Sequence, residues 1–323
     1  MNQPISNQNI ADPNWFTVAP GVWGMKDIFV NIYMVHNPST NQWVLIDAGL
    51  KTSAPKIRKM AANIFSSQII PSAIILTHGH FDHVGSLIEL VNEWQVSVYA
   101  HPLESPYLTG KSAYPPPDPF VGGGIMPLLS YLFPRSPVDA GKWLREIPRD
   151  GSVPGLTEWS WLHTPGHAPG HISLYRKRDG VLLSGDAIIT TNQQSAFAIM
   201  NQTKILSGPP KYFTTDWSAA RSSASKLVAL EPEVIAAGHG KPMRGIQLRQ
   251  SMLNLLNNFQ RDAVPRGGRY VEEAAEMDEH GVQYVPPFMI PDRTALTLIG
   301  LAVGITLSVL LIQRKRNRTS SKI

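Results

Sequence analysis

The chain contains no cysteine among its 323 residues. Disulfide scaffolds, thiolate zinc sites, iron–sulfur clusters and cysteine nucleophiles are therefore excluded, and the redox compartment is left open. Charge is also scarce. Asp, Glu, Lys and Arg make up 16% of the residues and apolar side chains 43%, whereas ordinary soluble domains are about one quarter charged. A disordered or fibrous chain is ruled out, and the length suffices for one large domain or two small ones with a proper core. No internal repeat is apparent. A basic nucleic-acid-binding face is missing too. The formal net charge is +5, but the last eleven residues carry Arg314, Lys315, Arg316, Arg318 and Lys322 and no acid, so the rest of the chain is balanced. The basicity belongs to a tail, and no nucleic-acid partner is expected.

Before that tail runs TALTLIGLAVGITLSVLLI (294–312), nineteen residues without a charge. As a helix it would be about 28 Å long, close to a hydrocarbon core of about 30 Å. The length predicts a single transmembrane helix, followed by the basic tail 313–323. Gly300 and Gly304 form a GxxxG pair through which two such helices can pack as a homodimer. Two cues oppose each other on orientation. The positive-inside rule keeps RKRNR cytoplasmic, which would place the preceding domain outside. Yet MNQPISNQNIADPNW at the N-terminus has no basic stretch followed by an apolar run, as an export signal requires. A tail anchor needs only a short tail to cross, and on that reading the large domain is cytoplasmic.

The rest divides into a loose polar start (1–14), a folded domain (15–260) and a turn-rich acidic linker (261–293). Apolar runs predict strands at 15–25, 28–36, 43–49, 72–78 and 96–101, then at 158–164, 171–177, 180–186 and 233–239. Helices are expected at 54–65, 84–94, 217–230 and 246–260, with Val84, Leu87, Ile88, Val91 and Trp94 on one face of the second. Two mixed strand–helix series point to two sheets packed together with helices outside. Residues 103–150, containing PPPDP, VGGG and IMPLLSYLF, are too long for a plain connection and read as a lid-like insertion.

Chemistry concentrates at Thr77-His78-Gly79-His80-Phe81-Asp82-His83, directly after the apolar AIIL. Residues i and i+2 of an extended segment project the same way, so His78 and His80 can grip one ion. Asp82 and His83 open the following helix and can face a second. Imidazole and carboxylate suit zinc, and also iron or manganese. Four further residues follow the same pattern: Asp47 in VLIDAG, His167 in HTPGHAPGH, Asp186 in LLSGDA and His239 in AAGHGKP. Asp47, Asp186 and His239 follow apolar strands directly, at the C-terminal ends where ligands gather in layered α/β proteins. His163 and His171 flank His167 and read equally as supports for the ligands or as structural histidines. His101 ends a strand and reads as structural, and His36 and His280 as surface residues.

This constellation, HxHxDH at 78–83 followed in order by His167, Asp186 and His239, resembles the metallo-β-lactamase fold superfamily over residues 15–260. The resemblance implies an α+β fold, a four-layer αββα sandwich of two mixed β-sheets with a dinuclear site between them. It implies two Zn²⁺ ions, with iron or manganese as alternatives. His78, His80 and His167 would bind the first metal, and Asp82, His83 and His239 the second. Asp186 would bridge them and hold a bridging hydroxide, with Asp82 both a ligand and a participant in catalysis. Asp47 would support the histidine loop, with Thr77, His163 and His171 as outer partners.

A carboxylate at 186 resembles the glyoxalase II and N-acyl homoserine lactonase branches, whereas true β-lactamases of this fold carry Cys or Ser at the comparable step. His80 stands where flavodiiron proteins have glutamate, and no basic arm of the RNA-processing branches is seen. The expected function is thus hydrolysis of an ester, thioester or lactone by a hydroxide held between metals. A small, hydrophobic or acylated substrate is suggested by the apolar 103–150 insertion. Two alternatives remain open at this stage: a mononuclear iron oxidoreductase like the persulfide dioxygenases, and a non-catalytic membrane-tethered metal-binding module.

Overall fold

The computed structural model describes residues 12–66, 68–201 and 203–288. The run 294–312, the Gly300–Gly304 pair and the basic tail lie outside the described residues. Among the described residues no helix is long and apolar enough to cross a membrane.

Two mixed sheets form the centre. The first has seven strands in sequence order: β1 (Trp15–Ala19), β2 (Val22–Asp27), β3 (Val30–Asn37), β4 (Gln42–Ile46), β5 (Ala73–Ile75), β6 (Val98–Ala100) and β7 (Leu144–Glu146). The strands β1 to β4 are antiparallel neighbours, and β4 to β7 run parallel. The second sheet holds β8 (Ser152–Val153), β9 (Leu156–His163), β10 (Ile172–Arg176), β11 (Val181–Gly185), β12 (Val234–Ala237) and β13 (Met243–Arg244), again in sequence order. Only β11 and β12 pair in parallel. A separate hairpin, β14 (Glu276–Asp278) and β15 (Gly281–Tyr284), follows.

Nine helices occur among the described residues: α1 (Ala54–Phe65), α2 (Phe81–Val84), α3 (Leu87–Trp94), α4 (Ser105–Leu108), α5 (Ile125–Leu129), α6 (Ala196–Asn201), α7 (Trp217–Val228), α8 (Gly245–Asn257) and α9 (Phe259–Asp262). The period-two alternation of the strands sorts their side chains into layers. In β4, Val44 and Ile46 face the second sheet, meeting the cluster that includes Leu174, Leu183 and Ala236. Trp43 and Leu45 point the other way, onto Ile57, Met60 and Ile64 of α1 and Leu87, Leu90 and Val91 of α3. In the second sheet Leu182 and Ile235 turn outward to meet Ala224 and Leu227 of α7 and Leu248 and Met252 of α8. Three apolar layers thus separate helices, sheet, sheet and helices, as expected for an α+β sandwich.

Local departures from the sequence reading have physical causes. The single strand expected at 15–25 is a hairpin, because Gly21 takes a left-handed turn with φ of 74°. The helix expected at 84–94 breaks after Val84, because the amides of Gly85 and Ser86 donate to Gly49 O at 2.7 Å and Ala48 O at 3.3 Å instead of back along the helix. A Cβ at Gly85 would lie 2.4 Å from the backbone of Leu50 and Lys51, so the chain passes there only as glycine. Leu90, rather than Ile88, is fully buried on the α3 face. The 103–150 segment, expected as a lid-like insertion, supplies edge strand β7 to the first sheet. Residues 261–286 do not form a linker. They belong to the same compact unit as the sandwich, which ends at Pro286. Tyr270 and Ala275 are buried, Tyr270 donates to the Pro116 carbonyl at 2.6 Å, and Ala275 N–H donates to Thr215 O at 3.1 Å.

Candidate metal centre

The centre assembles where strands of both sheets end. From the first sheet, β5 delivers residues 77–83 and β4 delivers Asp47. From the second, the β9–β10 loop delivers His167, β11 delivers Asp186 and β12 delivers His239. All seven expected ligands and Asp47 are at most 6% exposed. The structure brings His78, His80 and His167 together in one group. It places His78, His83 and Asp186 in a second, and Asp82, His83 and His239 in a third. Asp186 stands between the two expected halves. Its Oδ2 is 3.4 Å from His167 Nε2 and 3.0 Å from His239 Nε2, and its Oδ1 is 3.6 Å from His83 Nε2. Asp82 Oδ2 lies 3.6 Å from His239 Nε2.

Hydrogen bonds on the outer side of the His78, His83 and His239 rings fix which nitrogen faces inward, whereas His80 Nδ1 lies 2.9 Å from His167 Nε2. Asp47 accepts from Thr77 N–H at 2.7 Å, from the Thr77 hydroxyl at 2.8 Å and from His83 Nδ1 at 2.8 Å. Its own backbone adopts φ of 62° to reach all three. Because the Thr77 hydroxyl proton is committed to Asp47, its oxygen accepts from His78 Nδ1 at 3.0 Å. His239 Nδ1 donates to Phe29 O at 2.7 Å. The Nε2 lone pairs of His78, His83 and His239 are thereby turned to the centre, as metal ligands require. His171 acts differently. Its Nε2 accepts from Asp186 N–H at 2.8 Å and its Nδ1 donates to Thr164 Oγ1 at 2.9 Å, so it pins the Asp186 backbone. His163, expected as another support, does not reach the cluster. It stacks on His101 with ring centroids 4.1 Å apart and bonds Pro169 O.

Burial and crowding among the rings keep His78 and His167 well below the usual histidine range, and hold His80 and His171 down to about 3. The lowered values favour the neutral imidazole, which keeps one N–H and offers one ring-nitrogen lone pair. Burial opposes charge on His83, but Asp47, Asp186 and Asp82 outweigh it and lift its affinity for a proton. Burial likewise opposes charge on Asp186, yet His239 and His83 hold its carboxyl well below the usual range. A cation is the natural complement of this arrangement. His78 Nε2, His83 Nε2 and Asp186 Oδ1 are buried with no hydrogen-bond partner, a condition that costs about 1–3 kcal/mol per group unless something else binds them. The residues therefore fit divalent metal ions held by nitrogen and carboxylate.

Several contributors were not visible in the sequence. Glu104, fully buried, accepts from Gly79 N–H at 2.8 Å, from Gly170 N–H at 2.7 Å and from the Tyr114 hydroxyl. It ties the His78–His80 loop to the His167 loop. Asn31 and Tyr33 reach from β3 to the backbone of the His239 loop, at 2.9 Å and 2.6 Å from Ala237 O. The polar Asn31 inside an otherwise apolar run was the available sign. Phenylalanines from four segments form a half-buried wall. Phe213 lies 5.1 Å from His80 and Phe29 lies 6.2 Å from His239, between ring centroids. Phe133 stacks on Phe81 at 5.3 Å and approaches Phe213 at 6.1 Å.

The model of the metallo-beta-lactamase superfamily matches residues 25–239. The probable metallo-hydrolase YflN of Bacillus subtilis (strain 168) is 46% identical over 245 residues, covering 76% of this chain and 93% of that protein. The probable metallo-hydrolase YqgX of the same organism is 30% identical over 193 residues, covering 59% of this chain and 78% of that protein. Among solved structures, ST1585, an archaeal metallo-beta-lactamase superfamily protein from Sulfolobus tokodaii, superposes with a TM-score of 0.51 at 21% identity over 74% of this chain and 85% of its own. That likeness concerns the fold alone. With a family model spanning both sheets and a relative nearly half identical, this chain belongs to the metallo-beta-lactamase superfamily.

Proposed function

We propose that the protein is a dinuclear metal-dependent hydrolase of esters, thioesters or lactones carrying an apolar acyl group. His78, His80 and His167 would hold one ion, Asp82, His83 and His239 the other, and Asp186 would contact both. The observation that carries this reading is the position of Asp186 between the two histidine sets, with Oδ1 unpartnered. Zinc is the expected metal, with iron or manganese as alternatives. When bound, a pair of such ions lowers the pKa of a water towards about 7 and polarises a carbonyl.

The chain's own residues prepare the centre. Asp47 holds Thr77 and His83, His171 holds the Asp186 backbone, and Phe29 O fixes the His239 ring. The wall of Phe29, Phe81, Phe133 and Phe213 excludes water from one side and offers van der Waals contact to an acyl chain. It supports the apolar substrate class better than the 103–150 composition did alone.

We further infer that the 294–312 run anchors this domain to a membrane from the cytoplasmic side, and that Gly300 and Gly304 allow paired anchors. Both readings rest on the sequence pattern. The test is elemental analysis of the purified full chain, coupled to a panel of esters, thioesters, lactones and persulfides. Two ions per chain with turnover of an acyl ester, thioester or lactone, abolished by chelation, is the expected result. One iron with oxygen consumption on persulfides would overturn the hydrolase reading.

A further inference from the structure

A second concave site lies where the free edges of the two sheets meet, β1 on one side and β13 on the other. It is a hollow of about 460 Å³, and none of the seven residues of the metal centre lines it. Lys26 on β2, Lys204 after α6, Lys241 after β12 and Arg244 on β13 converge on it, together with Trp15 and Phe16 of β1. Among the described residues no Asp or Glu is part of its lining. Among the described residues no carboxylate pairs with Lys26, Lys204 or Lys241, and Arg244 donates only to the Thr17 carbonyl at 3.1 Å. Elsewhere on this surface basic groups do find acids: Lys56 meets Asp27, Arg58 meets Glu89 and Glu93, and Arg249 meets Glu233.

Outside the C-terminal tail the chain has no net positive charge, so four unpaired cations in one hollow are a local concentration, not a general surplus. Like charges gathered without counter-charge repel, and a bound anion reverses the sign of that interaction. Lys26 shows the effect: burial first, and the nearby Lys241 second, hold its amine below the usual lysine range. Three lysines and one arginine suit phosphate, which lysine binds as a point charge without a fixed fork geometry. A phosphate monoester brings about −1.5 to −2 charges at neutral pH, more than a single carboxylate. The aromatic rings beside the cations give a flat apolar surface for the rest of such a ligand. The volume falls in the range of about 300–1,000 Å³ typical of small-molecule sites.

We propose that this hollow binds a phosphate monoester whose phosphate lies among Lys26, Lys204, Lys241 and Arg244 and whose apolar or aromatic body rests on Trp15 and Phe16. The same chemistry occurs in soluble organic phosphates and in the headgroup of phosphatidic acid. The site is independent of the hydrolytic reading, since it shares no residue with the metal centre.

The test uses the full chain in a neutral detergent. Phenyl phosphate serves as the soluble probe and short-chain phosphatidic acid as the lipid probe, each titrated calorimetrically. The proteins compared are the wild type, Lys26→Gln/Lys241→Gln, Lys26→Arg/Lys241→Arg and the remote control Lys142→Gln. Saturable binding of one equivalent is expected, about tenfold or more weaker in the glutamine pair. It should be retained in the arginine pair and the control, and should weaken as salt is raised. Tighter binding of phosphatidic acid than of phenyl phosphate assigns the headgroup as the source; the reverse assigns a soluble ester. Binding of neither probe overturns the proposal. So does binding that survives in the glutamine pair within about twofold, because the anion would then sit at the metal centre, which also attracts phosphate. Equal thermal unfolding midpoints for all four proteins separate a lost site from a lost fold.

Discussion

Replacing Glu104 tests whether one buried carboxylate sets the spacing of the metal loops. Its two oxygens serve Gly79 N–H, Gly170 N–H and the Tyr114 hydroxyl. In Glu104→Ala the Gly170 N–H loses its acceptor, while Gly79 N–H keeps the Tyr114 oxygen at 3.0 Å. One to two orphaned donors at about 1–3 kcal/mol each give a loss of about 1–6 kcal/mol. Metal affinity should fall about 10–100-fold, because the tether orients the His78, His80 and His167 loops without touching an ion. Glu104→Gln keeps the shape and isolates the charge. Burial pushes the Glu104 carboxyl up to about 7, against which the bonds from Tyr114, Gly170 and Gly79 work only partly. A carboxyl whose folded pKa lies above its unfolded value binds its proton more tightly when folded. Its contribution to stability is therefore complete below about pH 4.5 and is lost as pH rises towards 7, by about 3 kcal/mol at most. Urea unfolding of chelator-treated wild type and Glu104→Gln at pH 5 and pH 8 measures this directly. The variant should gain about 2–3 kcal/mol relative to wild type between the two pH values. A difference of less than about 0.5 kcal/mol would refute the assignment of a carboxyl raised by burial, and an unchanged metal affinity in Glu104→Ala would refute its tethering role.

Two further substitutions probe the centre and the wall. Gly238→Ala would put a Cβ 2.0 Å from Asp186 Oδ1 and 3.0 Å from the His83 ring. It should remove at least one equivalent of metal by elemental analysis and lower turnover about 100-fold or more, while leaving the far-UV circular dichroism unchanged. Phe133→Ala and Phe213→Ala should lower kcat/KM about tenfold for an octanoyl ester and little for an acetyl ester, because the lost contact lies along the acyl chain. Equal losses on both esters would place the wall's contribution elsewhere.

The candidate metal centre was legible because the residues that gather there follow strands whose apolar runs are themselves unmistakable. Residues 78–83, Asp186 and His239 each come directly after such a run, and the strand ends of a two-sheet sandwich meet at one place. The support around the ligands was less legible. His163 and His171 flank His167 with equal claims. Only the folded chain shows that one ring turns to His101 while the other receives the Asp186 amide. Glu104 sits in the unremarkable AHPLESP, and nothing local marks it as buried. Its role exists only because two loops distant in sequence come within reach of its two oxygens. Residues 261–286 misled in the opposite way. Their turns and acids describe a linker, but a few apolar side chains, Val264, Tyr270 and Ala275 among them, suffice to hold them on the domain.

The irregularities of the structure coincide with its chemistry. Asp47 and Gly49 have left-handed backbones, and Gly185 and Gly238 leave room that no larger residue could. The unpartnered His78 Nε2, His83 Nε2 and Asp186 Oδ1 lie within the same few ångströms. The left-handed Asp47 backbone and each unpartnered buried atom oppose folding of the metal-free chain by about 1–3 kcal/mol apiece, while the glycines only make room. The three apolar layers between and outside the sheets contain none of them. The sandwich is thus stabilised by residues that take no part in the centre, and the centre can remain unsatisfied until metal binds. Metal affinity and fold stability should accordingly respond to different substitutions: those in the layers change unfolding with the site geometry intact, and Gly238→Ala changes the site first, while Glu104, which ties two loops of the centre together, changes both.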